Sequence, residues 1–296
     1  MVRGVVRTPV LNKRFPNADS RGTQRRDLLT AGLLLGGAAR LLKGQSSPHD
    51  EEGYRPLFDG ATLRGWSRRT RSQAHPSLGR WGVENGAIVG GQDPEGVGSY
   101  LVSEEAFDDF ELVIEARPDW PADTGILIRT IPEGNVGIQV LLDHRPHGGI
   151  AGYYGNGLGG FHAYQCAFNA EKDKDGRVVR LIPEAPSEPT ARVPLDFAAP
   201  AEVFLKAWKP GEWNRFRIRS VGAVPYLTTW INGEKISELD VSRIKLANFD
   251  PKAMLGRIGR AGHIALEVHD NDARMGKDRW APGAVCRWRN IYVRTL

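Results

Sequence analysis

Apolar and polar residues alternate along several short segments of the chain. In the segment 110–117, Phe110, Leu112, Ile114 and Ala116 occupy every second position, and charged residues lie between them. The segment 263–269 repeats this pattern, with Ile, Leu and Val at the even positions. Successive side chains of a β-strand point to opposite faces of its sheet, so a period of two residues predicts strands with one buried face.

Further segments alternate in the same way, namely 125–130, 138–143 and 214–220. Asn232-Gly233 separates two short alternating runs, which is the strongest short-range signal of a β-hairpin. No segment after the N-terminal region sustains a helical period. The pattern therefore predicts an all-β domain, a jelly-roll β-sandwich. If one sheet curves, its outer face forms a groove that holds charged side chains.

Residues 156–206 interrupt the alternation. They begin with a glycine-rich turn and continue with a charged stretch and five prolines. A segment of this length is too long for a simple connection, so we predict a long inserted loop that serves as a lid or binding loop. The glycine run lacks the Gly-Lys-Ser/Thr ending of a phosphate-binding loop. We therefore expect no nucleotide or organic cofactor.

The N-terminal 43 residues have the pattern of an export signal. Arg25 and Arg26 precede an apolar run, 28–42, which is shorter than the ~20 residues that a bilayer span requires. A basic region, a short apolar core and small residues are typical of a signal peptide, and the arginine pair points to the twin-arginine export machinery. The alternative is a short buried helix.

These features define the predicted organisation of the chain. It comprises a twin-arginine signal peptide over 1–43, a linker over 44–53 and one domain over 54–296. We expect an exported protein, periplasmic or extracellular, with no transmembrane segment in the mature chain. The net charge of +5 resides in residues 1–39, which hold seven basic and two acidic residues, so the remaining chain is about neutral. We therefore expect no nucleic-acid partner. Cys166 and Cys286 are either disulfide-bonded or free.

The densest cluster of candidate functional side chains lies near the C-terminus. Glu267 and His269 are two residues apart on a predicted strand and project to the same face. Imidazole titrates near neutrality and suits proton transfer, so both residues are catalytic candidates. Asp143, Glu267, His269 and Asp270 are candidate ligands of a divalent metal ion. The alternative is an Asp-rich turn whose side chains bond only to backbone.

Two further catalytic candidates, Glu115 and Arg129, are assigned to the polar faces of neighbouring strands. Arg129 could hold an oxyanion or a pair of hydroxyl groups, with Glu115 orienting it, and the alternative is an ordinary cross-strand ion pair. Asp143, His144 and His147 lie where a strand meets a turn, and surface-loop polarity is the preferred interpretation for this group.

Four residues are candidates for substrate binding. A curved sheet with a polar groove suits a carbohydrate-binding jelly roll, and if this groove forms, Gln139 is expected to hydrogen-bond sugar hydroxyls. The rings of Tyr153, Tyr154 and Trp208 are expected to offer faces to sugar C–H bonds, although most Trp and Tyr residues of a sandwich belong to its core.

An ordered set of motifs runs through the chain: Leu57-Phe58-Asp59-Gly60, Leu63-Arg64-Gly65-Trp66, residues 81–90, residues 110–115, residues 125–129, Gly211-Glu212-Trp213-Asn214, Asn232-Gly233 and Arg289-Asn290-Ile291. In this order they resemble the 3-keto-disaccharide hydrolase family, over about residues 54–296 and weakly over 156–206. The resemblance implies a fold similar to concanavalin A-like lectins and glucanases. It also implies hydrolysis of disaccharides or glycosides that carry a ketone at C3.

Two positions depart from the family's pattern. Gly137 stands two residues before Gln139, where family members often carry Glu. Glu267-Val268-His269-Asp270 stands where they often carry Gln-x-His-Gly. If this chain differs from the family in substrate or mechanism, the difference is expected at these two positions.

The first hypothesis for function is an exported hydrolase or lyase acting on 3-keto-glycosides. It would remove the C2 proton, eliminate the group at C1 and add water. The alternatives are a non-catalytic carbohydrate-binding module and a cell-surface adhesion domain. Convergence of Glu115, Asp143, Glu267 and His269 in one groove favours chemistry, and their dispersal favours binding alone.

Overall fold

A computed structural model describes residues 53–74, 76–186 and 192–296. The predicted signal peptide and all but the last residue of the predicted linker lie outside these residues. The strands are β1 (Arg55–Pro56), β2 (Trp66–Thr70), β3 (Arg80–Glu84), β4 (Ala87–Gly91), β5 (Ser99–Phe107), β6 (Phe110–Pro118), β7 (Ala122–Thr130), β8 (Gly137–His144), β9 (Gly148–Asn156), β10 (His162–Ala163), β11 (Ala167–Lys172), β12 (Val178–Glu184), β13 (Phe197–Ala198), β14 (Asn214–Val221), β15 (Tyr226–Ile231), β16 (Glu234–Asp240), β17 (Gly262–Val268) and β18 (Cys286–Thr295). The helices are α1 (Ala201–Ala207) and α2 (Pro251–Ile258), with 3-10 turns at Val241–Arg243 and Gly276–Asp278.

The strands form two antiparallel sheets. The order in the first sheet is β13-β16-β15-β14-β6-β18-β4-β3, with β1 beside β18. The order in the second sheet is β12-β11-β9-β8-β7-β17-β5-β2, with β10 beside β9. The chain crosses between the sheets from β6 to β7, so strands that are adjacent in sequence lie in different sheets. The predicted all-β sandwich is confirmed.

The core lies between the two sheets and consists of the apolar positions that alternate along the strands. Ile114 and Ile218 of the first sheet and Ile126 and Val140 of the second are fully buried in one cluster. Burial of such a side chain stabilises the fold by roughly 1.5–3 kcal/mol. A smaller cluster around Leu127 lies on the opposite, outer face of the second sheet. The alternation read from the sequence therefore corresponds to the inner and outer faces of the strands.

The predicted hairpin at Asn232-Gly233 joins β15 to β16. Both residues have positive φ, 50° and 95°, as a two-residue type I′ turn requires. The Asn232 side chain also fixes neighbouring chain segments. Its Oδ1 accepts from the Arg215 backbone N–H at 2.9 Å, and its Nδ2 donates to the Ala207 carbonyl at 2.8 Å.

The segment 156–206 has more structure than its sequence suggested. It contains β10 to β13 and α1, so it is not an unstructured loop throughout. Strand β11 pairs with β9 and extends the second sheet, and β12 pairs with β11. Phe168 of β11 stacks on Phe204 of α1 with ring centroids 4.4 Å apart. The prolines and charged residues of the segment 156–206 did not indicate a β-hairpin, but β11 and β12 form one that packs onto the core.

Two further features of the structure are the state of the cysteines and the length of the helices. Cys166 and Cys286 are free thiols, and Cys286 is buried. Of the two described helices, neither is long and apolar enough to cross a membrane.

Candidate functional site

The outer face of the second sheet carries a cavity of about 620 Å³. Strands β7, β8 and β9 form its floor, and the segment after β17 forms one wall. Charged, polar and aromatic side chains line it: Arg71, Asp123, Gln139, Asp143, Arg145, His147, Tyr154, Asn156, His162, Tyr164, His269, Arg274 and Arg279. We call this cavity the groove.

Two carboxyl groups lie side by side on the groove floor. Asp123 of β7 and Asp143 of β8 are register partners on neighbouring strands. The guanidinium of Arg145 donates to Asp123 Oδ2 at 2.7 Å, and Arg279 Nη1 lies 3.1 Å from the same oxygen. Asp143 has the weaker cationic contact, with Arg145 Nη2 at 3.8 Å.

This asymmetry separates the two pKa values. Burial alone raises the pKa of Asp123, but the charges of Arg145 and Arg279 and the hydrogen bond from Arg145 outweigh it and hold that pKa well below its usual range. Burial and the neighbouring charge of Asp123 raise the pKa of Asp143 well above its ordinary value. Like charges this close cannot both ionise freely. Of the two carboxyl groups, Asp143 is therefore the one that holds a proton more readily, and Asp123 is the one that stays ionised.

His269 lies between two arginines. Arg71 Nη2 is 2.8 Å from its Nε2, and Arg279 Nη1 is 2.7 Å from the same nitrogen. Its Nδ1 lies 2.8 Å from the Asp270 carbonyl oxygen, so Nδ1 carries the proton and Nε2 accepts. Burial, followed by the charge of Arg71, lowers the pKa of His269 to about 3. A neutral imidazole with so low a pKa positions the two guanidiniums, and it is poorly matched to proton abstraction near neutrality.

Glu267 lies beneath the groove and is almost fully buried. One carboxylate oxygen accepts from Arg71 Nη1, and the other accepts from Gln139 Nε2 at 2.7 Å. Arg71 is held further by the Tyr100 hydroxyl at 2.7 Å. A Cβ added at Gly125 would lie 2.2 Å from Gln139 Nε2, so this glycine makes room for the amide. Glu267 therefore positions one cation and one polar group of the groove.

The two departures from the family's pattern have local explanations. A Cβ added at Gly137 would lie 2.7 Å from Thr130 Cγ2 and 2.9 Å from Thr130 Cα, so the backbone leaves no space for a glutamate side chain. Glu267 has Arg71 as its counter-charge. Asp270 accepts from the Gly98 N–H at 2.5 Å and lies 3.4 Å from Arg71 Nε.

The structure brings several predicted site residues together. Gln139, Asp143, Tyr154 and His269 line the groove. Glu267 contacts two groove-lining side chains from below. Glu267 and His269 share one face of β17 and the segment that follows it, as their spacing predicted.

The assignment of Glu115 and Arg129 to neighbouring strands is wrong. Glu115 lies in β6 of the first sheet and accepts from Arg289 Nε at 2.7 Å. Arg129 lies in β7 of the second sheet with φ of 54°, and its side chain is buried against Asp109 at 3.1 Å. The strands are consecutive in sequence but belong to opposite sheets, so neither residue lines the groove.

Tyr153 and Trp208 belong to the core and not to the groove, contrary to expectation. Tyr153 is fully buried, and its hydroxyl lies 2.9 Å from Thr229 Oγ1 of the first sheet. Trp208 stacks on Phe204 with ring centroids 5.8 Å apart. Tyr153 precedes Tyr154 by one residue and therefore points to the opposite face of β9.

The predicted metal ligands do not fit a divalent cation. Across the described residues, no group of three His, Cys, Asp or Glu side chains is arranged to hold a metal ion. Arg71 and Arg279 both approach His269 Nε2, the nitrogen that would coordinate. Guanidinium groups repel a cation and offer no lone pair. We therefore derive no step of the chemistry through a metal.

Five charged residues of the groove were not predicted from the sequence: Arg71, Asp123, Arg145, Arg274 and Arg279. The position of Asp123 could have been predicted from the sequence. If the alternation that begins at Gly125 is extended two residues towards the N-terminus, Asp123 lies on the same face of β7 as Gly125. Arg145 directly follows the noted Asp143–His144 pair. Arg71 and Arg279 lie in irregular segments, where no periodic pattern indicates direction.

A family model and a curated relative match the chain. A family model described as the 3-keto-alpha-glucoside-1,2-lyase-like domain matches residues 53–294. A curated 3-keto-disaccharide hydrolase from Bacteroides thetaiotaomicron is 33% identical over 84 residues, which are 27% of this chain and 28% of that protein. The alignment thus spans little more than a quarter of the relative's length.

Two solved structures are similar to this chain at lower sequence identity. A Parabacteroides distasonis protein, described provisionally as a glycosyl hydrolase, is 17% identical with a TM-score of 0.47, over 83% of this chain and 94% of that one. A carbohydrate-binding module from Bacillus subtilis is 9% identical with a TM-score of 0.38, over 78% of this chain and 96% of that one.

Proposed function

The chain belongs to the 3-keto-alpha-glucoside-1,2-lyase-like family, and from this premise we propose that it cleaves 3-keto-glycosides, 3-keto-disaccharides among them, in the groove of the second sheet. The observation that carries the proposal is the carboxyl pair Asp123–Asp143 beneath a set of arginines. Cleavage of a 3-keto-glycoside requires a proton donor for the leaving oxygen and fixed positive charges beside the enolate.

The chemistry follows from the ketone at C3. This ketone acidifies the C2 proton, because the resulting enolate spreads its charge onto the C3 oxygen. Collapse of the enolate expels the group at C1 and forms a C1–C2 double bond. Addition of water across that bond completes a net hydrolysis. The protein must supply a base at C2, a positive environment for the C3 oxygen and a proton for the leaving oxygen.

We assign the proton donor to Asp143. It is the member of the carboxyl pair whose pKa is raised, and it lines the groove. A carboxylic acid whose pKa is raised holds its proton more readily and can deliver it to the departing oxygen. Such general acid catalysis contributes roughly 10²–10⁴-fold. Asp123 keeps the proton on Asp143 through its own charge.

We assign stabilisation of the enolate to the groove arginines. Arg71 and Arg279 are fixed by His269, and Arg145 is fixed by Asp123. Guanidiniums that are oriented before substrate binds need little reorganisation as charge develops. Each well-placed oxyanion donor contributes on the order of 10²–10³-fold.

Binding of the sugar is assigned to the polar and aromatic parts of the same groove. Gln139 is held by Glu267 and can meet a hydroxyl group. Tyr154 and His162 lie with ring centroids 4.5 Å apart and offer adjoining ring surfaces. We further propose that the protein acts in the periplasm or outside the cell after twin-arginine export, which the arginine pair before the apolar run supports.

The test is release of 3-keto-glucose from 3-keto-trehalose and 3-keto-sucrose by the purified chain. Asp143→Asn should reduce release by roughly 10²–10⁴-fold, because it removes the proton donor. Glu115→Gln is the matched control on the first sheet and should stay within about twofold. Binding of both sugars without release by the unaltered chain would instead identify a carbohydrate-binding module.

A further inference from the structure

An imidazole at the rim of the groove is hydrogen-bonded to a carboxylate. His147 lies in the connection between β8 and β9 and lines the groove. Its Nδ1 lies 2.7 Å from Glu184 Oε2 at the end of β12. The backbone of His147 is left-handed, with φ of 58°. Non-glycine residues rarely adopt this conformation, and it is enriched at functional sites.

Glu184 is itself oriented by a third side chain. Asn169 of β11 donates from Nδ2 to Glu184 Oε1 at 2.7 Å, so both carboxylate oxygens are engaged. The hydrogen bond from Asn169, followed by the one from His147, lowers the pKa of Glu184. The carboxylate is therefore ionised at neutral pH and accepts a hydrogen bond from the Nδ1–H of His147. This fixes the tautomer and leaves the Nε2 lone pair as the basic site.

We propose that His147 is the base that removes the C2 proton, and that Glu184 and Asn169 are positioning residues that orient its imidazole. The proposal rests on the proposed function and completes it. His147 Nε2 takes the proton, the C2–H electron pair forms the enolate, and the C1–O bond then breaks. The leaving oxygen takes its proton from Asp143.

Catalytic bases are commonly held in place by an orienting side chain, and Glu184 holds His147 in this way. His147 differs from His269 in the charges around it. His269 is enclosed by two guanidiniums, whereas His147 is paired with a carboxylate and its side chain is 58% exposed. Asp143, Arg145 and Tyr164 line the same groove as His147. Glu184 comes from the segment 156–206, so this segment would supply part of the catalytic apparatus.

The first experiment separates proton abstraction from cleavage. A 3-keto-1,5-anhydroglucitol has no glycosidic leaving group at C1, so in D₂O exchange of its C2 proton, which NMR follows, reports proton abstraction without release of a sugar. The unaltered chain and Asp143→Asn should both exchange C2. His147→Asn should slow exchange by about 10²-fold or more, because it removes the base. Asparagine tolerates left-handed backbone, and thermal unfolding should confirm that the variant is folded.

The outcomes of this experiment are distinct. Exchange by His147→Asn within about twofold of the unaltered chain, in a protein that releases 3-keto-glucose, overturns the base assignment. The proposed function survives that result. An unaltered chain that neither exchanges C2 nor releases sugar overturns both proposals.

The second experiment tests the positioning role through the kinetic profile, with kcat and KM measured separately. Glu184→Gln removes the carboxylate that orients the His147 imidazole, so it should lower kcat and leave KM little changed. Glu171→Gln is the matched control, because Glu171 lies on the same hairpin in an exposed ion pair with Arg180 at 2.6 Å. Its profile should match the unaltered chain. Identical profiles for the two variants would overturn the positioning role.

Discussion

The outer faces of the two sheets carry the same kinds of side chains in different surroundings. On the first sheet, Glu115 and Arg289 form an ion pair with an N–O distance of 2.7 Å. On the second sheet, Asp123 and Arg145 form a pair at the same distance. The side chains of the first pair are 19% and 38% exposed, and those of the second are 3% and 14% exposed. The two ion pairs therefore have the same N–O distance, but the first is partly exposed to water and the second is largely buried.

This difference explains why only one face has the features of a reaction site. A surface ion pair contributes roughly 0–1 kcal/mol, because water screens its charges. In the groove the screening is weak, so burial and the neighbouring charge of Asp123 raise the pKa of Asp143 well above its ordinary value. Arg289 on the first sheet instead lies over the Trp213 ring at 4.1 Å, at the solvent boundary. Burial of the charges therefore distinguishes the two faces.

Removal of one partner from each pair should give the largest contrast. Asp123→Ala leaves Arg145 and Arg279 without their shared buried carboxylate and should lower the free energy of unfolding by about 3–5 kcal/mol. Glu115→Ala should lower it by at most about 1 kcal/mol. Urea denaturation at neutral pH measures both values. Equal losses for the two variants would contradict the assignment of the groove as the weakly screened face.

The pH dependence of stability should sharpen the contrast through His269. Its pKa is about 3 in the folded chain and ~6.5 in the unfolded chain. The unfolded state thus binds a proton first, and stability is lost as pH falls through 6.5 towards 3. Between pH 7 and pH 5 this residue should cost about 2 kcal/mol.

The measurement compares urea denaturation of the unaltered chain and His269→Gln at both pH values. Glutamine does not titrate, so the free energy of unfolding of the variant should fall less over this range, by about 2 kcal/mol. If the two chains lost stability in parallel, the imidazole would not be buried among guanidiniums as described.

The smallest effect is expected from chelation. The arginines around His269 disfavour a divalent cation, so EDTA should change both the release of 3-keto-glucose and the melting temperature negligibly. Activity that disappears with EDTA and returns with added metal would contradict the arginine-based account of the groove. It would also restore Asp143, Glu267, His269 and Asp270 as metal ligands.

The position of a site residue could be predicted from the sequence when it depended on one strand alone, and not when it depended on how different strands pack. Glu267 and His269 were placed on one face correctly, because two residues of a single strand share a face whatever surrounds them. Glu115 and Arg129 were joined wrongly, because the chain changes sheets between β6 and β7. Tyr153 and Tyr154 are neighbours in sequence, and only the core packing determines which of them faces the groove.

By itself, the sequence determined the class of fold, the hairpin at Asn232-Gly233 and the alternation that separates buried from outer positions, since these depend on periods of two residues and on local turn geometry. Tertiary structure alone decided which outer face became the groove. It also decided that Asp123 would lie opposite Asp143 and that Glu184 would reach His147. These pairings join residues from different strands, and their pKa values follow from burial, which no local pattern records.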